Sequence, residues 1–175
     1  LLDFLRNHYK SLTPLHWKVL IFQLLSTLAI IQSKYPSFRH NDMKANNILI
    51  HKIDVTKEFH KYTIVRNKYR VPNIGYHIKL WDFDFACIPG IVDNIKVEAK
   101  WTKKINVTPE QNRYYDIHYF FNTLKIETMN TYYDPEDLKK FGAIGDFNKK
   151  LASKFFDYYG EVFKEGSLTT REKSL

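Results

Sequence analysis

Cysteine is almost absent from this chain. Cys87 is the only one in 175 residues, so no internal disulfide is possible, and a reducing compartment is the natural setting. No signal peptide is visible, and no uninterrupted apolar run is long enough to span a bilayer. The most apolar run, Val19 to Ile31, is broken by Gln23, Ser26 and Thr27 and reads as a buried helix. Internal repeats and low-complexity tracts are missing. His51, His60, His77 and His118 lack metal-ligand spacing. A content of 44% hydrophobic and 26% charged residues excludes a disordered chain, and the length suits one core rather than two ordinary domains.

Aromatic residues and positive charge are what the chain has in excess. Aromatics reach 16%, with 12 Tyr and 13 Phe, so rings should fill the core. The 27 Lys and Arg against 19 Asp and Glu leave a net charge of +8. That balance favours anionic partners without choosing among them.

Local signals mark the elements. Leu1 to Arg6 already reads as helix without a start signal, as expected of a fragment cut from a longer domain. Thr13 can cap a second helix and Pro14 suits its first position. Trp17, Leu20, Ile21, Leu24, Leu28 and Ile31 then recur at helical spacing up to Pro36. Asn47–Ile50, Tyr62–Val65 and His77–Trp81 read as strands, with turns at Pro72-Asn73 and Gly75. Residues 88–112 read as an extended loop and Tyr114–Ile126 as helix. Asp134 can start another helix, and a further one is expected from Asp146 or Asn148 to Tyr159, stopped by Gly160.

Between the long helix and the first strand lies His40-Asn41-Asp42-Met43-Lys44-Ala45-Asn46-Asn47, an H-x-D-x-K-x-x-N pattern. Asp82-Phe83-Asp84 follows a later strand. These residue types suit phosphoryl transfer. The transferred group is highly anionic, so catalysis is largely positioning and charge neutralisation. Mg²⁺ prefers oxygen ligands, which a carboxylate and an amide supply. A second carboxylate can accept the proton of an attacking hydroxyl, and a lysine is a point charge for phosphate.

The ordered set of helix, loop, strand, strand and D-F-x resembles the C-terminal lobe of the protein-kinase superfamily. The resemblance runs from about Leu1 to Leu124. It implies a mainly α, α+β fold over residues 1–166, with a small β-hairpin carrying the catalytic and metal-binding loops, and a frayed tail over 167–175. It implies Mg²⁺ and ATP as cofactors and a protein as acceptor. Asp42 would be the catalytic base, Lys44 would contact the γ-phosphate, and Asn47 and Asp82 would hold Mg²⁺. His40 would brace the loop, and Asp116 would tie down the loop's backbone. The glycine-rich loop, the ATP-binding lysine and its partner glutamate would belong to an N-terminal lobe before Leu1, so this chain alone is expected to be weakly active or inactive.

Several positions depart from that family. Asn41 stands where an arginine is usual, which argues against control through phosphate on the activation loop. Asp84 replaces the glycine of D-F-G. The interval from Asn47 to Asp82 is enlarged by a basic insertion over residues 52–77. Thr108-Pro109-Glu110 lies too close to Asp116 to be the family's peptide-docking motif. Asn41, Asp84 and the insertion, together with Tyr115-Asp116-Ile117-His118-Tyr119-Phe120, look most like serine/threonine protein kinases of large DNA viruses. The expected setting is then cytoplasmic, in the host cytoplasm or the virion. Two other readings stay open. A small-molecule kinase of the aminoglycoside- or choline-phosphotransferase type is suggested by Asp84, but Lys44 argues against it. A non-catalytic pseudokinase scaffold is opposed by the retained Asp42, Lys44, Asn47 and Asp82. Nucleic acid is open as a partner but not favoured, and no membrane is expected.

Overall fold

Thr13 and Pro14 start the longest helix among the described residues. In the computed structural model, which describes residues 1–8, 11–64, 66–105, 107–110 and 113–123, Pro14–Lys34 forms helix α2 after a short helix α1, Leu2–His8. The Thr13 N–H donates to Nδ1 of His16 at 3.2 Å, and the Thr13 hydroxyl lies 2.8 Å from the same nitrogen. One of the orphan donors at the helix entrance is thereby paired. Tyr35 closes the other end through its N–H to the Ile31 carbonyl, and Pro36 prevents continuation.

Four strands follow: β1 Ile48–Lys52, β2 Phe59–Ile64, β3 Asn67–Pro72 and β4 Tyr76–Leu80. They form two antiparallel pairs, β1 with β4 and β2 with β3. The second hairpin is therefore inserted between the strands of the first. Asn73 and Gly75 turn the chain into β4. The Gly75 N–H donates to Asn73 Oδ1 at 2.9 Å, and Gly75 adopts φ +79°, where a side chain would be strained. A 3-10 turn, Ala45–Asn47, leads into β1, and three shorter helices complete the described elements: α3 Ile95–Glu98, α4 Lys100–Lys104 and α5 Tyr115–Thr123.

The chain divides into two compact units, Leu1–Phe38 with Asn46–Asp82, and Arg39–Ala45 with the described residues from Phe83 onward. In the first, Leu2, Leu5, Trp17, Leu20, Leu24, Leu28, Ile48 and Val71 are buried. Phe22 of α2 meets Tyr62 and Tyr69 of the inserted hairpin, each with ring centroids 5.3 Å away. Gln23 is buried on α2 and turns its amide to the free edge of β4. Its Nε2 donates to the Tyr76 carbonyl at 3.0 Å, and its Oε1 accepts from the Ile78 N–H at 2.9 Å. One side chain thus stands in for a neighbouring strand and pairs two backbone groups that burial would otherwise orphan.

In the second unit, Cys87, Val97 and Val107 form a buried cluster against which Phe85 packs. Tyr115, Tyr119, Phe120 and Phe121 of α5 are buried. The Thr102 hydroxyl lies 2.7 Å from the carbonyls of Lys96 and Ala99, and so bonds the turn that joins α3 to α4.

The α+β reading agrees with these elements, and three local expectations change. Residues 88–112 are not wholly extended, because α3 and α4 form there. Their Asn94 cap accepts the Lys96 N–H at 3.0 Å, and the two helices are too short to leave a periodicity. Strand β3 has no counterpart among the expected strands, because its alternation is limited to Tyr69 and Val71 beside a run of exposed residues over 67–70. Helix α2 is longer than the apolar run Val19–Ile31 and, by length and composition, could cross a membrane. Buried Gln23, Ser26 and Gln32, with Gln23 bound to β4, make it a core helix here. The helices expected from Asp134 and from Asp146 or Asn148, the end of the Tyr114–Ile126 helix, and the tail over 167–175 lie outside the described residues.

Candidate active site

The H-x-D-x-K-x-x-N loop owes its shape to one carboxylate. Asp116, in the first turn of α5, is fully buried. Its Oδ2 accepts the His40 N–H and its Oδ1 the Asn41 N–H, both at 2.8 Å. The bond pair crosses more than seventy positions of sequence. Burial raises the Asp116 pKa from the ordinary carboxylate value; the two N–H donors and the nearby His40 and Arg39 oppose that rise without cancelling it. This backbone clamp is what the family resemblance implied for Asp116.

Asn41 adopts φ +64°, a left-handed conformation that asparagine tolerates better than most residues. Its Nδ2 donates to the Phe85 carbonyl at 2.9 Å and lies 3.5 Å from Cys87 Sγ. Arg39 and Cys87 exchange both backbone hydrogen bonds, at 3.0 and 2.9 Å. The loop is therefore laced to the segment after D-F-D by backbone and side chain together. Where the family has a phosphate-reading arginine, this chain has a short amide that locks two segments. Burial pushes the Cys87 thiol up from its ordinary pKa, so it is a packing residue rather than a thiolate nucleophile. His40 is fully buried, with its ring 5.1 Å from that of Phe83.

The four predicted site residues fall into two pairs. Asp42 and Lys44, in the second unit, form an ion pair of 3.0 Å between Oδ2 and Nζ. Asp42 is 7% exposed while Lys44 is half-buried, which leaves the ammonium open to an anion. Asn47 and Asp82, in the first unit, lie at one end of the β1–β4 ladder. The register pairs Ile48 with Leu80, and the Trp81 N–H continues it by donating to the Asn47 carbonyl at 2.9 Å. Asp82 is exposed and adopts φ +59°, a conformation costing a non-glycine residue roughly 1–2 kcal/mol. Such outliers concentrate at functional sites. An amide oxygen and a carboxylate are the hard-oxygen types that Mg²⁺ prefers, and the register brings their backbones to neighbouring strand ends.

Asp84 is held elsewhere. Its Oδ2 bonds Lys96 Nζ at 2.7 Å, and its carbonyl accepts from Asn94 Nδ2 at 3.0 Å. Asn94 also donates to the Ala86 carbonyl at 2.9 Å. Neither Lys96 nor Asn94 could be singled out from sequence. Both lie in a segment without periodicity, and the pairing depends on a bend over residues 85–94.

Comparison with known proteins bears on the family of the chain. The family described as poxvirus serine/threonine protein kinase matches residues 6–159. A protein of Acanthamoeba polyphaga mimivirus named as a serine/threonine-protein kinase is 56% identical over 128 residues, covering 71% of this chain and 27% of the relative. Serine/threonine-protein kinase 2 of swinepox virus (strain Kasza) is 36% identical over 133 residues, 73% of this chain and 26% of the relative. No solved structure matches. The chain is thus of the protein-kinase class. Within that class it belongs to the poxvirus serine/threonine protein kinase family, as its likeness to kinases of large DNA viruses implied. It spans about a quarter of the length of these curated relatives.

Proposed function

We propose that this chain carries the catalytic and metal-binding loops of a serine/threonine protein kinase that moves the γ-phosphate of Mg·ATP to a protein hydroxyl. The observation that carries the reading is the Asp42–Lys44 pair, 3.0 Å apart, on a loop whose backbone is clamped by buried Asp116. Asp42 accepts a hydrogen bond from the acceptor hydroxyl and takes its proton as the bond to phosphorus forms. The Lys44 ammonium neutralises oxygen charge on the transferring group. Asn47 and Asp82 are the residues that would hold Mg²⁺, which when bound neutralises and orients the phosphates.

The ATP-binding elements that the chain lacks belong, in this proposal, to the rest of a longer protein. A protein acceptor is favoured over a small molecule by Lys44. Asp84, the residue that pointed to a small-molecule kinase, is occupied by Lys96. In the full-length protein, Asp42→Ala should lower phosphate transfer by about 10²–10⁴-fold, the usual contribution of a positioned base, with an unchanged thermal midpoint. Turnover within a few-fold of the parent would exclude Asp42 as the base. Offering basic proteins, acidic proteins and amino sugars as acceptors in one radiolabel assay separates a protein kinase from a small-molecule kinase.

A further inference from the structure

The inserted hairpin has two faces with different chemistry. Antiparallel partners share a face, so the register groups His60, Tyr62, Tyr69 and Val71 on one side and Phe59, Lys61, Thr63, Lys68, Arg70 and Pro72 on the other. The first side is committed to the fold. Tyr62 and Tyr69 meet Phe22, and the His60 ring lies 4.8 Å from that of His77. The second side faces water. Lys61, Thr63, Lys68 and Arg70 are all exposed.

That outer face carries hydrogen-bond donors and cations with no carboxylate among them. Lys61 is directly opposite Arg70, and Thr63 is opposite Lys68. Exposed Arg66 stands at the turn between the strands. None of these cations forms an ion pair among the described residues. Arg70 instead lies over Phe59, its guanidinium carbon 4.4 Å from the ring centre, a cation–π contact that favours this position of the charge. Like charges directly opposite each other destabilise a two-stranded ribbon. A hairpin serving only as a cover for α2 would gain from a carboxylate at either position.

We propose that this face binds the phosphodiester backbone of nucleic acid. The stems of Lys61 and Arg70 leave the ribbon about 5 Å apart across it, and those of Lys68 and Arg70 about 6.6 Å apart along β3, an array suited to successive phosphates. Donors without a reading edge imply binding that positions the strand and ignores sequence. A protein partner is disfavoured, because the face has no exposed aromatic or aliphatic anchor of the kind that dominates protein interfaces. A membrane is disfavoured for the same reason, since nothing on the face can enter the acyl boundary. The sequence left nucleic acid open but not favoured, and the outer face of the hairpin is the observation that argues for it here.

The test uses the full-length protein and a fluorescein-labelled 20-nucleotide single strand, followed by anisotropy over a range of salt concentrations. Binding should weaken with salt. The triple variant Lys61→Gln, Lys68→Gln, Arg70→Gln should bind at least ten-fold more weakly at low salt. Its log–log salt slope should be shallower by about 2, at roughly 0.7 for each phosphate that is no longer neutralised. A control, Lys18→Gln with Lys34→Gln on the exposed side of α2, should stay within two-fold of the parent. The triple variant removes a repulsion and should fold normally, which its thermal midpoint checks. Amide exchange of the unmodified protein gives a second reading, with protection expected over residues 59–72 when the strand is added. Equal losses in the triple variant and the control would reduce the effect to net charge and overturn the assignment. So would protection only outside the hairpin. Binding of polyglutamate or phosphatidylserine vesicles without binding of the oligonucleotide would assign the face to another partner.

Discussion

The catalytic loop and the inserted hairpin use polar groups in opposite ways. In the loop, His40, Asn41 and Asp116 are buried, and two N–H groups and one amide have assigned acceptors at 2.8–2.9 Å. In the hairpin, Lys61, Lys68 and Arg70 stand in solvent without ion-pair partners among the described residues, two of them face to face. Buried groups cannot exchange a lost partner for water, so each loop bond is costly to remove. Exposed groups can, so the hairpin's outer face tolerates change in stability and is free to serve recognition. Geometry is held rigidly in the first region, and charge is displayed in the second.

Removing the Asp116 carboxylate should have the largest effect on this contrast. Asp116→Ala leaves two buried N–H groups unpaired, at about 1–3 kcal/mol each. Losing a buried carboxylate offsets part of that, so about 2–4 kcal/mol of destabilisation is expected in chemical denaturation. Asp116→Asn, which retains one acceptor oxygen, should lose less. Equal losses for the two variants would show that the clamp does not act through its acceptors.

Asn41→Ala should come next, at about 2 kcal/mol. It removes the bond to the Phe85 carbonyl, worth about 1 kcal/mol, and forces alanine into a left-handed conformation at roughly 1–2 kcal/mol. Asn41→Gly keeps the backbone relaxed and should recover part of the loss. If Gly and Ala variants melt together, backbone strain plays no part at this position.

The smallest effect should come from His77 on β4, whose ring meets His60 on the inner face of the hairpin, as a pH dependence. Burial lowers the His77 pKa from its ordinary value of 6.5, and the neighbouring His60, His51 and Lys79 lower it further. Below pH 6.5 the unfolded chain therefore binds a proton at this site more readily than the folded one. The stabilising contribution is complete above pH 6.5 and is lost as pH falls from there through the lower folded-state value. Thermal midpoints measured between about pH 7.5 and 5 should decline, and His77→Gln should flatten that part of the decline. An unchanged slope in the variant would assign the titration to another group. Lys61→Gln on the outer face should leave the slope as it is, which separates the two sides of the ribbon.

Much of the candidate site was legible in the chain because its parts are close in sequence. Asp42, Lys44 and Asn47 sit on one loop at a spacing that suits phosphate chemistry, and Asp82 follows a strand whose alternation is visible. The long helix could be read from the recurrence of Trp17, Leu20, Leu24 and Leu28. Asp116 entered only through family likeness, since nothing near it in sequence states what it holds. Gln23 looked like an interruption of an apolar run, whereas in the fold it pairs the edge of β4. Asp84 could be read as a replacement for the glycine of D-F-G, whereas in the fold its carboxylate is paired with Lys96. The insertion was visible as a basic tract, but not as two strands with an inner aromatic face and an outer cationic one.

By itself, the sequence determined the residue types of the chemistry, the helical face of α2 and the excess of positive charge, because these follow from local spacing and composition. Tertiary structure alone decided which buried donors meet which acceptors. It bent the chain so that Asp116 reaches His40 and Asn41, and set the register that places Lys61 against Arg70. Those choices depend on closing long loops around a packed core, where a single partner within hydrogen-bond reach determines whether a polar group is paired, and no local pattern encodes that partner.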